Sequence, residues 1–126
     1  MKETFTKSMA DGPQLYSFRS KTFYYGAYHI LSFTEQDQGK SLNVYVDSAQ
    51  PICWIELWPA VFDGYDWVRW TTERGQDALA RTGDKPQSNP SLTWTVQPGT
   101  YTLYFVNSSV KREAKHKKIT FHIEIV

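Results

Sequence analysis

Residues 96–109 read VQPGTYTLYFVNSS, and this stretch decides the fold class of the chain. After a Pro-Gly turn signal, Tyr101, Leu103 and Phe105 recur at the period of two that is typical of a β-strand with one buried face. Glycine favours the turn because it adopts backbone conformations that a Cβ atom resists. The stretch therefore predicts a turn followed by a strand that buries these three side chains.

The same alternation recurs on both sides of this stretch. Apolar residues alternate with polar ones over residues 42–46, 92–96 and 119–125, and turn signals rich in Gly, Pro and Asn lie between the runs. Short strands at this spacing are typical of two packed sheets. We therefore predict an all-β, antiparallel β-sandwich of about seven or eight strands, with a long polar loop at about residues 72–91.

Length, composition and charge limit the class of protein. The chain has 126 residues, which suits a single β-sandwich domain over residues 1–126, and its net charge of +1 gives no overall attraction to nucleic acid. The single cysteine, Cys53, excludes an internal disulfide. No apolar run suits a membrane span or a signal peptide. We expect a soluble protein for which a cytoplasmic location is favoured, and secretion after removal of a signal peptide stays open.

Motifs for catalysis and metal binding are missing from the sequence. His29, His116 and His122 stand at spacings that do not present two histidines to one metal ion. No Gly-x-Ser-x-Gly motif offers a nucleophilic serine. Cys53 falls on the predicted core face of its strand, where a thiol is usually inert. We therefore predict no catalytic residue, no metal site and no cofactor, in a chain that is not an enzyme.

An aromatic stripe on the apolar segment 53–58 is the first candidate binding surface. Parity assigns Trp54, Glu56 and Trp58 to the face opposite the core. Tyr45 joins this stripe if its strand pairs with the segment. Outward aromatic side chains beside a carboxylate suit a protein hot spot or a platform for stacking sugars. The alternative is that a loop or other tryptophans cover the stripe, which is then a second small core.

A basic hairpin at residues 111–118 is the second candidate surface. It reads KREAKHKK and holds five of the 14 basic residues but one of the 13 acidic residues. Its basic residues are Lys111, Arg112, Lys115, Lys117 and Lys118. A cationic tip attracts an acidic protein, an anionic membrane surface or a phosphate backbone. The alternative is a solvated tip that discourages edge pairing. Nucleic acid is the least favoured partner, because the aromatic stripe lies in a different segment.

Two C-terminal motifs carry a resemblance to a known family. They are Pro98-Gly99-x-Tyr101-x-Leu103-x-Phe105-x-Asn107 and Lys117-Lys118-Ile119-x-Phe121-x-Ile123-Glu124. Together they resemble the end of a GOLD (Golgi-dynamics) domain. The resemblance implies a jelly-roll-like β-sandwich that is non-catalytic and mediates protein–protein contacts. Because the matching residues define the fold, they imply the architecture more closely than the partner.

These observations predict a non-catalytic interaction module that binds a protein partner, in solution or at a membrane surface. Binding is expected through the aromatic face, the basic hairpin or both. The candidate binding residues are Trp54, Trp58, Tyr45, Glu56, Lys111, Arg112, Lys115, Lys117 and Lys118. One alternative is a carbohydrate-binding module that stacks sugars on the outward aromatic side chains. Another is a small stand-alone inhibitor or effector protein.

Overall fold

In the computed structural model of the protein, β-strands account for nearly all regular structure. The described residues are 2–9, 15–17, 21–59, 78–109 and 117–126. The strands are β1 (Lys2–Ser8), β2 (Leu15–Ser17), β3 (Thr22–Phe33), β4 (Ser41–Val46), β5 (Trp54–Trp58), β6 (Ala80–Arg81), β7 (Ser91–Thr95), β8 (Gly99–Ser109) and β9 (Lys118–Ile125). A short 3-10 helix, Glu35–Asp37, lies between β3 and β4. No helix in these ranges is long and apolar enough to cross a membrane.

The strands form two antiparallel sheets that pack face to face. A four-stranded sheet has the order β1-β9-β4-β7, and a five-stranded sheet has the order β2-β3-β8-β5-β6. β8 lies at the centre of the five-stranded sheet, between β3 and β5. The predicted antiparallel β-sandwich is therefore confirmed. The described residues contain nine strands where the sequence predicts about seven or eight, because β1 and the two-residue β6 lack a strong apolar alternation.

The two sheets enclose a shared core, and β8 supplies its centre. Tyr101, Leu103 and Phe105 are all buried on the inner face, as the alternation predicts. The ring centroid of Phe105 lies 4.3 Å from that of Phe121, on β9 in the facing sheet. Burial of a side chain of this size contributes about 1.5–3 kcal/mol to folding. The face of β8 that carries these residues therefore joins the two sheets.

The turn before β8 is fixed by the first aromatic residue of the strand. Gly99 has a φ of 143°, a conformation that residues with a Cβ atom rarely adopt. The hydroxyl of Tyr101 reaches back to this turn, where the carbonyl oxygens of Gln97 at 2.9 Å and Pro98 at 3.1 Å accept its hydrogen bond. Tyr101 therefore both fills the core and holds the turn that starts its own strand.

Part of the segment predicted as a long loop folds back on β5. β6 pairs with β5, and Gln87 forms an isolated bridge with Cys53. The backbone N–H of Ile55 donates to Oγ1 of Thr82 over 2.9 Å. Residues 72–77 of the predicted loop lie outside the described residues. The described part of this segment covers the edge of β5 in the five-stranded sheet.

The central position of Phe105 gives a test of the core assignment. Replacing this fully buried side chain with alanine, Phe105→Ala, should lower the free energy of unfolding by about 3–5 kcal/mol, because it leaves a cavity between the sheets. Chemical denaturation measures this change. The control is Thr95→Ala on the exposed face of β7, expected to change stability by less than about 0.5 kcal/mol. Equal effects of the two substitutions would contradict the assigned core.

Candidate functional site

The predicted aromatic stripe on β5 lies on the predicted face but is buried. Trp54, Glu56 and Trp58 all point away from the main core, yet their exposed fractions are 4%, 4% and 0%. The expectation that the indoles face solvent is therefore wrong. The stripe is instead a second small core, which is the alternative stated in the sequence analysis. Because these residues are buried, their exposure cannot be used to support a binding role.

Glu56 explains how a carboxylate is accommodated in this second core. The Nε1–H of Trp54 donates to Oε2 of Glu56 over 2.7 Å, and the Nε1–H of Trp58 donates to Oε1 over 2.9 Å. Each carboxylate oxygen therefore has an indole donor. Tyr104 and Val106 from the neighbouring strand β8 pack against the two indoles. Because hydrogen bonds compensate for lost hydration, Glu56 does not require contact with water.

Tyr45 lies in the other sheet and does not join this stripe. Its strand, β4, pairs with β7 and β9, whereas β5 pairs with β6 and β8. The condition on which Tyr45 would join the stripe, pairing of β4 with β5, is therefore not met. On the outer face of the four-stranded sheet, the Tyr45 ring stacks on His122 with centroids 4.6 Å apart. Nδ1 of His122 is hydrogen-bonded to Oγ1 of Thr4 at 2.8 Å, so the aromatic pair sits among polar side chains.

The segment predicted as a basic hairpin, residues 111–118, is described at its C-terminal end. The hairpin prediction is wrong, because β8 and β9, which this segment joins, lie in different sheets and do not pair with each other. Lys117 and Lys118 are exposed, and the backbone N–H of Met9 donates to the carbonyl oxygen of Lys117 over 2.8 Å. Lys111, Arg112 and Lys115 lie outside the described residues. Binding of an anionic partner by this basic segment stays a prediction.

Two exposed apolar residues on β3 form a surface that the sequence analysis missed. Tyr28 and Ile30 are neighbours on the outer face of the five-stranded sheet, with exposed fractions of 40% and 45%. The period of two is hidden in β3, because its inner face carries apolar residues such as Ala27 and Leu31 as well. Whether the outer face is exposed therefore depends on which other elements pack against the sheet. The sequence of β3 alone does not carry that information.

Among the described residues, the edge of β3 beside this surface has no strand partner along part of its length, and this part is called the open edge. β8 pairs with β3 from Phe23 to Phe33, whereas β2 on the other side reaches no further than Tyr24. Beyond β2, Nζ of Lys7 donates to the carbonyl oxygen of Tyr28 over 2.7 Å. This bond shows that the backbone polar groups of Tyr28 point away from β8 and towards the open edge.

His29 lies on the inner face of β3, between the two sheets. Its ring centroid is 4.4 Å from that of Phe5 and 5.6 Å from that of Phe121, and within the described part of the chain its Nδ1 has no hydrogen-bond partner. Burial, and secondly the positive charge of Lys7, lower the pKa of His29 from 6.5 to about 4. The ring is therefore neutral near pH 7 and behaves as a core side chain.

The thiol of Cys53 is also held in an inert form. It is fully buried in the main core, and burial raises its pKa to about 12. A thiol in that state supplies almost no thiolate near pH 7. Within the described ranges, no group of three or more His, Cys, Asp or Glu residues is placed to hold a metal ion.

Comparisons with known proteins bear on the fold. No family model matches the sequence. No curated protein matches it either. PliG from Aeromonas hydrophila, a periplasmic inhibitor of g-type lysozyme, is similar with 8% identity and a TM-score of 0.51, over 100% of this chain and 85% of that one. The pre-peptidase C-terminal domain of a Bacillus anthracis collagenase has 13% identity and a TM-score of 0.49, over 100% and 90%. The likeness to PliG supports the sandwich fold alone.

The pairing of Glu56 with two indoles predicts a specific sensitivity. Glu56→Gln keeps the shape but leaves one acceptor oxygen for two N–H donors, so the free energy of unfolding should fall by about 1–3 kcal/mol. Chemical denaturation followed by tryptophan fluorescence measures this loss. Glu35→Gln, at an exposed position of the 3-10 helix, is the control and should leave stability nearly unchanged. Full stability of Glu56→Gln would show that the buried carboxylate is not needed.

The lowered pKa of His29 predicts a loss of stability in acid. The unfolded chain binds a proton at His29 near pH 6.5, whereas the folded protein does so near pH 4, so stability should fall as pH decreases between these values. Allowing for solvent around the partly exposed ring, the expected loss is about 1–2 kcal/mol. In His29→Phe, the same range should show a shallower decline by thermal denaturation. His122→Phe, which retains His29, is the control; a decline that persists undiminished in His29→Phe would assign it to other groups.

Proposed function

We propose that this chain is a non-catalytic module that binds a protein partner through the outer face of β3. The observation that carries the proposal is the exposure of Tyr28 and Ile30 at successive positions on that face. An aromatic side chain with a polar hydroxyl beside an aliphatic one is a composition typical of protein hot spots. This surface takes the place of the tryptophan stripe on β5 as the candidate aromatic face.

The backbone beneath this surface is well suited to present it. β3 is paired with the central strand β8 along nearly its whole length, and its inner residues Leu31 and Phe33 are buried in the core. Tyr28 also packs beside the second core, with its ring centroid 6.5 Å from that of Tyr104. Side chains held on a rigid strand bind at a lower entropic cost than side chains on a mobile loop.

The chemistry of the described residues supports a binding role over a catalytic one. Cys53 is held as a thiol, and His29 has no neighbouring acid or nucleophile among the contacts described for it. The GOLD-like motifs of β8 and β9 imply the same class of function, although no family model matches the chain. A stand-alone inhibitor, the alternative from the sequence, is one form of such a protein-binding module.

A carbohydrate-binding function receives less support from the geometry. Two of the three aromatic residues proposed for stacking, Trp54 and Trp58, are buried. Tyr45 remains on the outer face of the four-stranded sheet, where one side of its ring is already stacked on His122. A sugar platform usually needs an open aromatic face, so the protein-binding function is favoured.

Site-specific crosslinking tests the proposed function. A photoreactive p-benzoylphenylalanine at position 28 should crosslink a defined protein in extracts of the source cells, whereas the same group at position 93 should not. The crosslinked protein is identified by mass spectrometry, purified and titrated against the wild-type chain by calorimetry. Tyr28→Ser with Ile30→Ser should weaken this binding at least about tenfold, because hot-spot side chains dominate affinity.

Two further variants make the titration decisive. Thr93→Ala on the outer face of the four-stranded sheet is the control and should bind like the wild type. Changing Lys111, Arg112, Lys115, Lys117 and Lys118 to Gln tests the basic segment 111–118: unchanged affinity at low and high salt would exclude it from the interface. Failure of the purified protein to bind, or equal binding by the Tyr28/Ile30 variant, would overturn the proposal. Binding on a glycan array that Tyr45→Ala abolishes would favour the carbohydrate alternative.

A further inference from the structure

The open edge of β3 offers backbone hydrogen-bonding groups beside the exposed Tyr28 and Ile30. We propose that the bound partner supplies a short extended segment, which adds to this edge as a further antiparallel or parallel strand of the five-stranded sheet. The inference rests on the proposed function and specifies how the partner is recognised. Backbone hydrogen bonds would supply affinity, and contacts with the two side chains would supply selectivity.

Strand register identifies the backbone groups at the open edge. In an antiparallel pair, alternate residues direct both their N–H and their C=O groups towards the partner strand. The carbonyl of Tyr28 accepts a hydrogen bond from Lys7, so it points away from β8. The same parity applies to Ile30 and Ser32, which are paired with Thr102 and Thr100 across the sheet. Their N–H and C=O groups therefore also face the open edge.

The accessibility of these groups supports binding of an incoming strand. Tyr28, Ile30 and Ser32 are all exposed. Among the described residues, no backbone group is hydrogen-bonded to the N–H or C=O of Ile30 or Ser32. Exposed strand edges are templates for pairing with another chain, and proteins usually shield them. Here Lys7 shields one carbonyl, and the outward groups of Ile30 and Ser32 have no backbone hydrogen-bond partner among the described residues.

The length of the open edge favours a short segment over a second copy of the chain. β2 covers β3 up to Tyr24, and Lys7 covers the carbonyl of Tyr28, so the accessible groups run from residue 28 to residue 32. Four residue spacings in a strand span about 14 Å. A symmetric pairing of two β3 strands centred on Ile30 would meet the Tyr28 carbonyl that Lys7 occupies twice, once in each copy, whereas a short segment meets it once. A contact this short also buries much less than the roughly 800 Å² per partner of a stable interface.

The chemistry of the edge indicates the composition of the segment. Residues that pair with Tyr28, Ile30 and Ser32 would project their side chains on the same outer face, where apolar groups can pack against Tyr28 and Ile30. Lys7 adds a positive charge beside the edge and favours a neutral or acidic segment over a basic one. The expected ligand is therefore a segment of about five residues, the length that spans this edge, with apolar residues at alternate positions.

A display library of random heptapeptides tests this mode of binding. Peptides selected on the wild-type chain should carry alternating apolar residues and should bind Ile30→Pro at least tenfold more weakly than Ile30→Ala, which also loses the side chain but keeps the N–H. Proline removes the N–H that faces the edge but leaves the hydrogen bonds between β3 and β8, and edge strands tolerate it. The matched control is Thr93→Pro. The register of β4 and β7 directs the N–H of Thr93 away from β4, so this variant removes an outward N–H from another edge and should bind like the wild type.

Hydrogen exchange by NMR then locates the peptide. The amides of Ile30 and Ser32 should exchange at least tenfold more slowly in the complex, while that of Thr93 should not change. Selected peptides that bind Ile30→Pro and Ile30→Ala equally would overturn strand addition and leave protein binding by β3 standing. Selection of no binding peptide would overturn the short-segment ligand, and the crosslinking experiment decides the proposed function separately. Self-association that Ile30→Pro abolishes would assign the edge to a second copy instead.

Discussion

The contact between Phe105 and Phe121 is the constraint on which the rest of the structure depends. Each ring belongs to an interior strand of its sheet, β8 in one and β9 in the other, and their centroids are 4.3 Å apart. Once these rings meet, the parity of each strand fixes which side chains are inside the sandwich. The Tyr101 hydroxyl then fixes the turn that aligns β8 for this contact. The core packing, the turn before β8 and the choice of buried strand faces therefore depend on one another.

Because side chains alternate along a strand, β5 has a second face that points away from the main core. Glu56 makes the burial of that face possible. Its two oxygens accept hydrogen bonds from Trp54 and Trp58, so that three large side chains are buried together without an unsatisfied polar group. This burial divides the outer face of the five-stranded sheet. The part over β5 and β8 is a second core, whereas the part over β3 keeps Tyr28 and Ile30 in contact with solvent. The candidate surface exists at the boundary of that second core.

Sequence was sufficient where the relevant interaction is local. The alternation in residues 101–105 and 119–125 predicts the strands and their buried faces, because each strand carries that information itself. Whether Trp54, Glu56 and Trp58 are exposed or buried could not be predicted in this way. A carboxylate between two tryptophans suits a solvent-exposed surface, and it equally suits a buried cluster in which both indoles donate hydrogen bonds to it. The pairing of β4 with β9 and β7, which separates Tyr45 from the stripe, is likewise non-local. β1 contains a single strongly apolar residue, Phe5, and becomes recognisable as a strand only through its pairing with β9.

An edge is an unavoidable product of an open β-sandwich, so the presence of one is not in itself informative. The arrangement at β3 differs from a shielded edge in two ways. Lys7 occupies a single carbonyl, whereas no described residue forms a backbone hydrogen bond with the outward groups of Ile30 or Ser32, and the exposed side chains of Tyr28 and Ile30 are apolar rather than charged. A sheet that only needed protection from aggregation would place charge at these positions. Exposed apolar groups therefore lie beside backbone groups that lack a described partner on one rigid strand, and this combination is what the proposed recognition of an extended segment requires.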